Sequence, residues 1–363
     1  MKTLLVGRFD LKYGGPSHVV SNLKKKIKDD KDYEIQTLNI ADYNFFIFIS
    51  KILFSKKFKN YLFQFNLIHF HELWHPSIIF LSLRAQHLGI PYFFTFHGVL
   101  NKWSMNRNNL QKKIFLFFFS RFILNITQAF HFLNHVEFEE ARSVTKKFDF
   151  RSFVLSNGVD LSKINSVRKK LKKDYLQILF FGRKHPKKGI VDLIDAFKII
   201  KSKGLKIKLN IVGPKNDYED FLFSKVKDYG LEDFILFKDG VFDDKGKIEL
   251  FSESDYFILP SYDEADSIAI KEAVSFGVPV VITKECKFVI PEKYNLGFTI
   301  SHDANEIFQV IEKLKVNDQK YEEMSLACSN YAKLNFDLRI TIEKYKEITR
   351  EIVTGVKYSD NWL

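Results

Sequence analysis

Residues 255–282 constrain the fold of this chain more than any other segment, because they read as one complete β-α-β unit. An apolar run at 256–259 stops at a proline, and after a polar loop apolar residues recur at helical spacing over 268–276. A Gly-x-Pro break then precedes a second apolar run at 280–282. A strand, a helix and a strand joined by short loops predict parallel strands in an α/β sheet.

Two carboxylates of this unit point to a ligand. Glu264 lies in the loop after the first predicted strand, and Glu272 lies about one turn into the helix. Ligands of parallel α/β sheets bind beyond the carboxyl ends of the strands, where helix N-termini attract phosphate. A helix carboxylate there can accept two ribose hydroxyls, and a loop carboxylate can contact a sugar, so the pair fits a sugar nucleotide. The alternative is two solvated surface acids, and the pattern alone leaves it open.

The rest of the chain extends this pattern into two domains, as its 363 residues favour. Strands and helices alternate over 1–160 and again over 176–339, which predicts two doubly wound α/β domains. Residues 161–175 are polar and rich in lysine, and we interpret them as the linker. The last helix, within 340–363, is long enough to cross back and pack on the first domain.

Charge and cysteine content indicate which partners and which cellular compartment suit the protein. The net charge of +12 favours anionic partners such as nucleotides or anionic lipid head groups. Two distant cysteines without metal-ligand spacing indicate reduced thiols. We find no secretory signal and no uncharged apolar run near the roughly 20 residues that span a bilayer. We therefore expect a cytoplasmic protein, at most peripheral to the inner face of the plasma membrane.

A glycine pair follows the first predicted strand, at 3–6. Gly14 and Gly15 leave the backbone free to approach a ligand, and Pro16 opens a helix that runs to about residue 27. A strand, a glycine turn and a helix N-terminus can form a phosphate cradle, although the spacing is not GxGxxG. Glycines that serve only turn geometry are the alternative.

Histidines end the next two predicted strands of the first domain, at 66–70 and 92–96. His97 and a following glycine stand where active sites form in α/β domains, although a lone histidine is usually structural. Residues 69–75 hold three histidines and a glutamate, but their order is not the HExxH of a metal-binding helix. We therefore expect no metal there.

Two aromatic segments of the first domain, 43–65 and 102–126, carry lysines or arginine beside Phe, Ile and Leu. Helices with apolar faces and basic flanks can lie in a membrane interface. Ordinary core helices with a solvated lysine face give the same pattern. Two such segments in one domain favour membrane contact, without excluding the core interpretation.

The first loop of the second domain, residues 182–189, contains four cations and one histidine. It lies at the end of a predicted strand and just before a helix. There Arg183 can bind a pyrophosphate through two parallel hydrogen bonds, and Lys188 supplies a point charge. A solvated basic loop is the alternative.

Six ordered landmarks together resemble the retaining glycosyltransferases of family four, which have the GT-B fold, over nearly the whole chain. The landmarks are Gly14-Gly15-Pro16, Thr95-Phe96-His97-Gly98, Ser156-Asn157-Gly158-Val159-Asp160, Gly182-Arg183 with Lys188-Gly189, Leu259-Pro260-Ser261 with the Glu264 and Glu272-Ala273 pair, and Gly277-Val278-Pro279-Val280-Val281. His97 to Leu100 followed by Trp103 is also similar to members that act on bacterial surface polysaccharides.

The resemblance implies two Rossmann-like domains facing across a cleft, with the donor in the second domain. Arg183 and Lys188 would neutralise the departing diphosphate, Glu272 would hold the ribose, and Glu264 would lie near the donor sugar or its phosphate. His97 would reach the transferred sugar from the first domain. The remaining candidates for donor binding are Gly14, Gly15, Gly182, Val241, Asp266, Ser267 and Ile268.

One segment departs from the family pattern. After the first glutamate the family usually has Gly-Phe-Gly, whereas this chain has Ala265, Asp266 and Ser267. Alanine can replace glycine only where φ is negative. Asp266 adds a negative charge near the expected diphosphate, unless its side chain caps the helix or binds a sugar hydroxyl.

We therefore expect transfer of a sugar, with retained configuration, from a UDP- or GDP-sugar to a hydroxyl of a lipid-linked or oligosaccharide acceptor in bacterial surface-polysaccharide synthesis. We expect no cofactor and no metal, and peripheral contact with an anionic membrane but none with nucleic acid. The alternatives are a sugar-nucleotide epimerase of the same fold, a phosphorylase, and a non-catalytic binder of anionic ligands. Product released without an acceptor would identify the epimerase, and a need for inorganic phosphate would identify the phosphorylase.

Overall fold

The computed structural model describes residues 1–9, 15–105, 109–123, 126–145, 151–164, 173–314 and 317–356. The chain forms two compact units, an N-terminal unit of Met1–Gly158 with Arg339–Leu363, and a C-terminal unit of Val159–Leu338. The predicted domain limits at 160 and 340 lie near these divisions, while the acceptor and donor roles assigned to the domains stay predictions. The predicted linker, 161–175, falls partly outside the described residues.

The N-terminal unit is built on a parallel sheet. Its described strands are β1 Lys2–Gly7, β2 Glu34–Asn39, β3 Leu67–Phe70, β4 Tyr92–Thr95, β5 Ala129–Phe132 and β6 Ser152–Val154. They pair in the order β2-β1-β3-β4-β5-β6. β3, β4 and β5 are buried along their whole length, as expected for a parallel sheet covered on both faces. The strand order reverses between β1 and β3, which is where ligands bind in such sheets.

Helices connect these strands. Those described are α1 Gly15–Ile27, α2 Phe45–Phe54, α3 Lys56–Leu62, α4 Ser77–His87, α5 Lys102–Met105, α6 Asn109–Phe122 and α7 His135–Thr145. Asn44 begins α2 by accepting hydrogen bonds from two backbone N–H groups of its first turn. α4 packs against both α2 and α6, so the two aromatic segments flank one helix.

The C-terminal unit has a second parallel sheet. Its described strands are β7 Leu176–Phe181, β8 Ile207–Val212, β9 Ile235–Lys238, β10 Tyr256–Leu259, β11 Val280–Thr283 and β12 Gly297–Ile300. They pair in the order β12-β11-β10-β7-β8-β9. The described helices of this unit are α8 Ile190–Ser202, α9 Asp217–Asp228, α10 Asp244–Ser252, α11 Ile268–Ser275, α12 Ala304–Lys313 and α13 Asp318–Asn335. The order reverses between β7 and β10, and this edge forms the candidate site.

The last described helix, α14 Leu338–Thr354, returns to the N-terminal unit. Ile342, Tyr345, Ile348 and Ile352 form one buried stripe along it. The Tyr345 hydroxyl lies 3.0 Å from Nδ1 of His69 at the centre of the N-terminal sheet. The prediction of two doubly wound α/β domains with a returning C-terminal helix is therefore confirmed.

Candidate functional site

Two loops lie side by side at the carboxyl edge of the C-terminal sheet. β7 pairs with β10, so the loop after each strand leaves the sheet at the same place. The Tyr262 N–H donates a hydrogen bond to the Lys187 carbonyl at 2.8 Å, and the Ser261 Oγ lies 3.1 Å from the same carbonyl oxygen. The basic loop 182–189 and the acidic loop 260–267 therefore form one assembly.

Gly189 allows this close approach. Its φ of +65° lies in the left-handed region, where residues with a Cβ are strained. A Cβ on Gly189 would lie 1.9 Å from the carbonyl oxygen of Pro260, closer than any real contact. The glycine therefore lets the two loops meet where α8 begins, immediately after it.

Lys188 and Glu264 form a direct ion pair. Lys188 Nζ donates to Glu264 Oε1 at 2.6 Å, and the Ser261 hydroxyl donates to the same oxygen at 2.7 Å. Burial alone would raise the pKa of Glu264, but the charge and hydrogen bond of Lys188 hold it below its usual value. Glu264 is therefore a carboxylate that holds Lys188 at the edge of the sheet.

A second pairing beside it includes a residue that sequence analysis missed. Asp263 accepts from Lys187 Nζ at 2.5 Å and from Lys287 Nζ at 2.7 Å. Lys287 lies beyond β11 in a segment without any motif, so no sequence signal could have selected it. Lys287 thus adds a cation from a distant part of the chain to the charges around the basic loop.

The four cations of loop 182–189 do not share one role. Lys184 turns inward and is fully buried, with Nζ donating to the Gly213 carbonyl at 2.6 Å and paired with Glu219 at 2.7 Å. Lys184 therefore supports the loop and cannot contact a pyrophosphate, which corrects the interpretation of all four as ligand-facing. Arg183 is exposed and forms no hydrogen bond or ion pair to another residue within the described ranges.

Glu272 lies on α11 and is buried against a lysine. Lys247 of α10 donates from Nζ to Glu272 Oε1 at 2.5 Å. Burial raises the pKa of Glu272 and nearby Asp244 adds to this, while Lys247 opposes it. Sequence analysis predicted Glu272 as a ligand but missed Lys247, which lies 25 residues away.

Segment 265–267, which differs from the family pattern, carries its own counter-charge. Asp266 pairs with Lys271 at 2.5 Å, with the lysine side chain only 2% exposed. Burial lowers the pKa of Lys271, opposed by the charge of Asp266. The expected extra negative charge of Asp266 is therefore largely offset. Ser267 is the N-cap residue of α11, and Ala265 does not have a positive φ.

The remaining donor candidates lie at helix starts and loop ends. Ile268 begins α11 and is half-buried, as is Val241 after β9. Gly182 follows β7, and its N–H donates to the Val212 carbonyl at 2.9 Å. Gly15 is the exposed first residue of α1, and no described residue has an atom within 4 Å of where its Cβ would be. Gly14 lies outside the described residues.

In the N-terminal unit, His97 stands on a strained turn after β4. Its φ is +52°, a left-handed value that is unusual for a residue with a side chain. The carboxylate of Glu137 holds this turn by accepting hydrogen bonds from the N–H of Gly98 at 2.5 Å and of Leu133 at 2.6 Å. Glu137 is only 2% exposed and lies in the first turn of α7. Sequence analysis missed it because it resembles a surface helix acid.

Buried histidines form a hydrogen-bonded chain below this turn. Nε2 of His131 donates to the Leu155 carbonyl at 2.7 Å, because a carbonyl oxygen only accepts. Nδ1 of His131 then accepts from the Thr95 hydroxyl at 2.7 Å, and Thr95 accepts from Nε2 of His69 at 2.7 Å. Nδ1 of His69 is left to accept from the Tyr345 hydroxyl. When both imidazoles are neutral, these partners fix the tautomer of each ring.

The pKa directions agree with neutral rings. Burial lowers the pKa of His69 and of His71 well below 6.5, and neighbouring histidines lower both further. Burial, with His131, lowers the pKa of His97 to about 3. His71 and His97 are joined by a hydrogen bond of 2.9 Å between Nδ1 and Nε2.

The histidines and glutamate at 69–75 have separate partners. Glu72 accepts from Arg8 at 2.7 Å, and His75 contacts the Ser77 hydroxyl at 2.6 Å. Over the described part of the chain, no group of three or more His, Cys, Asp or Glu side chains is placed to hold a metal ion.

Sequence comparison matches both parts of the chain to glycosyltransferase families. The family model described as Glycosyl transferases group 1 matches residues 162–334, and that described as Glycosyltransferase Family 4 matches residues 21–163.

Among the helices of the described residues, none is long and apolar enough to cross a membrane.

Individual relatives agree with these matches. The capsular polysaccharide biosynthesis glycosyltransferase CapM of Staphylococcus aureus is 30% identical over 192 residues, so the match spans 49% of this chain and about half of CapM, 48%. An N,N'-diacetylbacillosaminyl-diphospho-undecaprenol alpha-1,3-N-acetylgalactosaminyltransferase of Campylobacter jejuni is 22% identical over 314 residues, 80% of this chain and 79% of that enzyme.

Solved structures share the fold. HepE of Anabaena in complex with UDP-glucose aligns with a TM-score of 0.77 at 17% identity, covering 97% of this chain and 100% of HepE. The two family models together account for residues 21–334. The chain therefore belongs to the GT-B glycosyltransferases of family four, as its landmarks indicated.

Proposed function

We propose that this protein transfers a sugar, with retained anomeric configuration, from a UDP- or GDP-sugar to a hydroxyl of a lipid-linked or oligosaccharide acceptor. We place this reaction in the synthesis of a bacterial surface polysaccharide. CapM and the Campylobacter enzyme, which by name act on a capsular polysaccharide and on an undecaprenol-linked acceptor, support the acceptor class. The UDP-glucose complex of HepE supports the donor class.

The observation that carries the proposal is the charge arrangement where β7 and β10 end. Lys187, Lys188 and Lys287 are held in place by Asp263 and Glu264, and Arg183 of the same basic loop has no ion pair among the described side chains. These four cations exceed the carboxylates of Asp263, Glu264 and Asp192, which lies in the first turn of α8, by one positive charge. A helix N-terminus with excess positive charge is complementary to the diphosphate of a sugar nucleotide.

The proposed mechanism needs no protein nucleophile. The acceptor hydroxyl attacks on the face from which the diphosphate leaves, and a phosphate oxygen takes its proton. The protein then contributes position and charge stabilisation, with Arg183 and Lys188 facing the departing diphosphate. Because these cations neutralise the leaving group, we propose that transfer requires no metal, and a chelator should leave turnover unchanged.

Glu272 and Glu264 have different roles in this proposal. Glu272 is fixed on α11 by Lys247 and accepts the ribose hydroxyls. Glu264 keeps Lys188 in reach of the phosphates. The Asp266 and Lys271 pair occupies the place of the usual glycine loop, and we assign selection of the donor sugar to it. His97 contacts the transferred sugar.

A donor screen tests this proposal directly. A panel of UDP-, GDP- and other sugar nucleotides is compared by thermal shift, since a tight ligand stabilises the folded protein by mass action. Transfer to a polyprenyl-diphosphate-linked sugar is then measured with the best donor. Arg183→Ala should lower the rate by a factor on the order of 10²–10³, as for loss of one oxyanion donor.

Lys203→Ala is the matched control, because Lys203 is an exposed cation at the far end of α8 and should be neutral to turnover. Near-normal turnover of Arg183→Ala would contradict the assigned role. Altered sugar nucleotide formed without an acceptor would identify an epimerase instead.

We further propose that the N-terminal unit contacts the cytoplasmic face of an anionic membrane. α2 and α6 each bury part of their apolar surface, so the core interpretation holds for one side of each helix. The other side is exposed and apolar. Its large exposed side chains are Phe46, Ile47, Leu53 and Phe54 on α2, and Leu110, Ile114, Phe117, Phe118 and Phe122 on α6. Basic residues flank this surface, which suits anionic lipid head groups.

Flotation with anionic liposomes tests membrane contact. Phe54→Ser and Phe117→Ser, with side chains 82% and 65% exposed, should each weaken binding about tenfold, because burying a Phe in lipid contributes roughly 1.5–3 kcal/mol. Phe221→Ser is the control, since Phe221 is 55% exposed on α9 of the other unit. Unchanged flotation of the first two variants would contradict this proposal.

A further inference from the structure

His71 is a buried residue without an assigned role, and it contacts the candidate catalytic His97 directly. It follows β3, and its backbone N–H donates to the Val6 carbonyl at 2.8 Å. Its side chain is 9% exposed and packs against the rings of His69 and Phe9. Nδ1 of His71 lies 2.9 Å from Nε2 of His97.

One proton must lie between these two nitrogens. Both rings are neutral, since burial lowers the pKa of each. A neutral imidazole has one N–H donor and one bare acceptor nitrogen. Either His71 donates from Nδ1 and His97 accepts, or His97 donates from Nε2 and His71 accepts. The choice also fixes whether the other nitrogen of each ring carries a proton.

The far nitrogen of His71 decides between these arrangements. Nε2 of His71 is buried and has no hydrogen-bond partner among the residues that the structure describes. If His71 accepted at Nδ1, its proton would be on Nε2, as a buried N–H without an acceptor. Orphaned buried N–H groups are rarer than under-satisfied acceptors. If His71 donates from Nδ1, Nε2 is only a bare lone pair, and the proton of His97 is on Nδ1.

The geometry points to His71 as a positioning residue that donates from Nδ1 to Nε2 of His97 and so presents His97 Nδ1–H as a donor to the substrate. The ring of His97 is half-buried, and across the described residues its hydrogen bond goes to His71 alone. Nδ1–H is then available for a sugar oxygen. This inference rests on the proposed function only for the identity of that oxygen.

Two substitutions of His71 by residues of the same shape as each other, Asn and Asp, separate hydrogen-bond donation from acceptance. The amide nitrogen of Asn can occupy the place of Nδ1 and donate, whereas the carboxylate of Asp has the same shape and can only accept. At about pH 8, where an imidazole is neutral, His71→Asn should keep most of kcat. His71→Asp should lower kcat on the order of 10- to 100-fold with little change in donor KM, as expected for one misdirected hydrogen bond.

Nitrogen-15 spectra of histidine-labelled protein provide the readout that does not depend on activity. In the unsubstituted protein and in His71→Asn, His97 should be protonated on Nδ1. In His71→Asp it should be protonated on Nε2. A proton on Nε2 of His97 in the unsubstituted protein, or equal kcat for the two variants, would overturn the inference.

The two levels of the proposal fail in different ways. If the protein is not a sugar transferase, the unsubstituted protein shows no turnover with any donor, while the spectra still report the tautomer of His97. His71→Gln controls for packing, because its amide reaches the place of Nε2 instead of Nδ1 and should behave as His71→Asp does. Retained kcat in His71→Gln would also overturn the inference.

Discussion

Acidification should selectively destabilise the N-terminal unit, because its core holds neutral histidines. Burial lowers the pKa of His69, His71 and His97 from the ordinary 6.5, to about 3 for His97. Below pH 6.5 the unfolded chain therefore binds protons that the folded unit does not. The stability that these groups provide is complete above pH 6.5 and is lost as the pH falls toward the folded pKa values.

The size of the effect follows from proton linkage. For one histidine that stays neutral in the folded state, lowering the pH from about 7.5 to about 5.5 costs roughly 1.4 kcal/mol. Three such histidines acting independently cost about 4 kcal/mol, a large part of the 5–15 kcal/mol that stabilises a typical domain. Glu264 contributes nothing to this loss because it belongs to the C-terminal unit.

Tryptophan fluorescence is a suitable assay, because Trp74, Trp103 and Trp362 all belong to the N-terminal unit and the C-terminal unit contains no tryptophan. Urea unfolding is followed at several pH values in the unsubstituted protein and in His97→Asn. The variant should lose about 1.4 kcal/mol less on acidification, because one neutral histidine is removed. His87→Gln, at an exposed histidine of α4, should leave the pH slope unchanged. A slope that is equal in all three proteins would refute the reasoning.

Two further substitutions test the turns that support the site. Gly189→Ala should destabilise the C-terminal unit by more than about 2 kcal/mol in calorimetry, because the cost of a strained φ and the cost of a backbone clash add. Gly204→Ala is the control: φ is a similar +63° but the space around its Cβ is open, so it should cost only about 1 kcal/mol. Equal costs for the two variants would argue against the clash. Glu137→Gln should lower the stability of the N-terminal unit by about 1–3 kcal/mol and reduce turnover, because the N–H of Gly98 loses a charged acceptor. Glu139→Gln, at an exposed acid of the same helix, should change neither stability nor turnover.

Much of the fold could be predicted because inner strands of a parallel sheet are buried on both faces. β10 is a continuous apolar run, and β3 and β4 are apolar except for His69 and Thr95; all three stop where the chain leaves the core. β2, β5 and β12 are not among the predicted strands. β2 lies at the sheet edge with only two apolar residues, Ile35 and Leu38, and β5 contains His131, whose burial depends on partners from other strands.

Positions in the site could be predicted better than their partners. Parallel strands bring their carboxyl ends to one edge, so Arg183, Lys188 and Glu264 could be selected from their places after strands. The pairing of Lys188 with Glu264 joins residues 76 positions apart, and local sequence carries no record of it. The inward turn of Lys184 depends on carbonyls of two other loops, which no motif encodes.

The return of α14 has a consequence for the order of folding during synthesis. The C-terminal unit is one continuous stretch, Val159–Leu338, and its last residue is added to the growing chain before the rest of α14. Domains generally fold as units as they emerge. The N-terminal sheet, although made first, must wait with His69 lacking the Tyr345 hydroxyl until the later unit is complete. The half of the protein that is translated first therefore cannot reach its final structure until the half that follows it has been made.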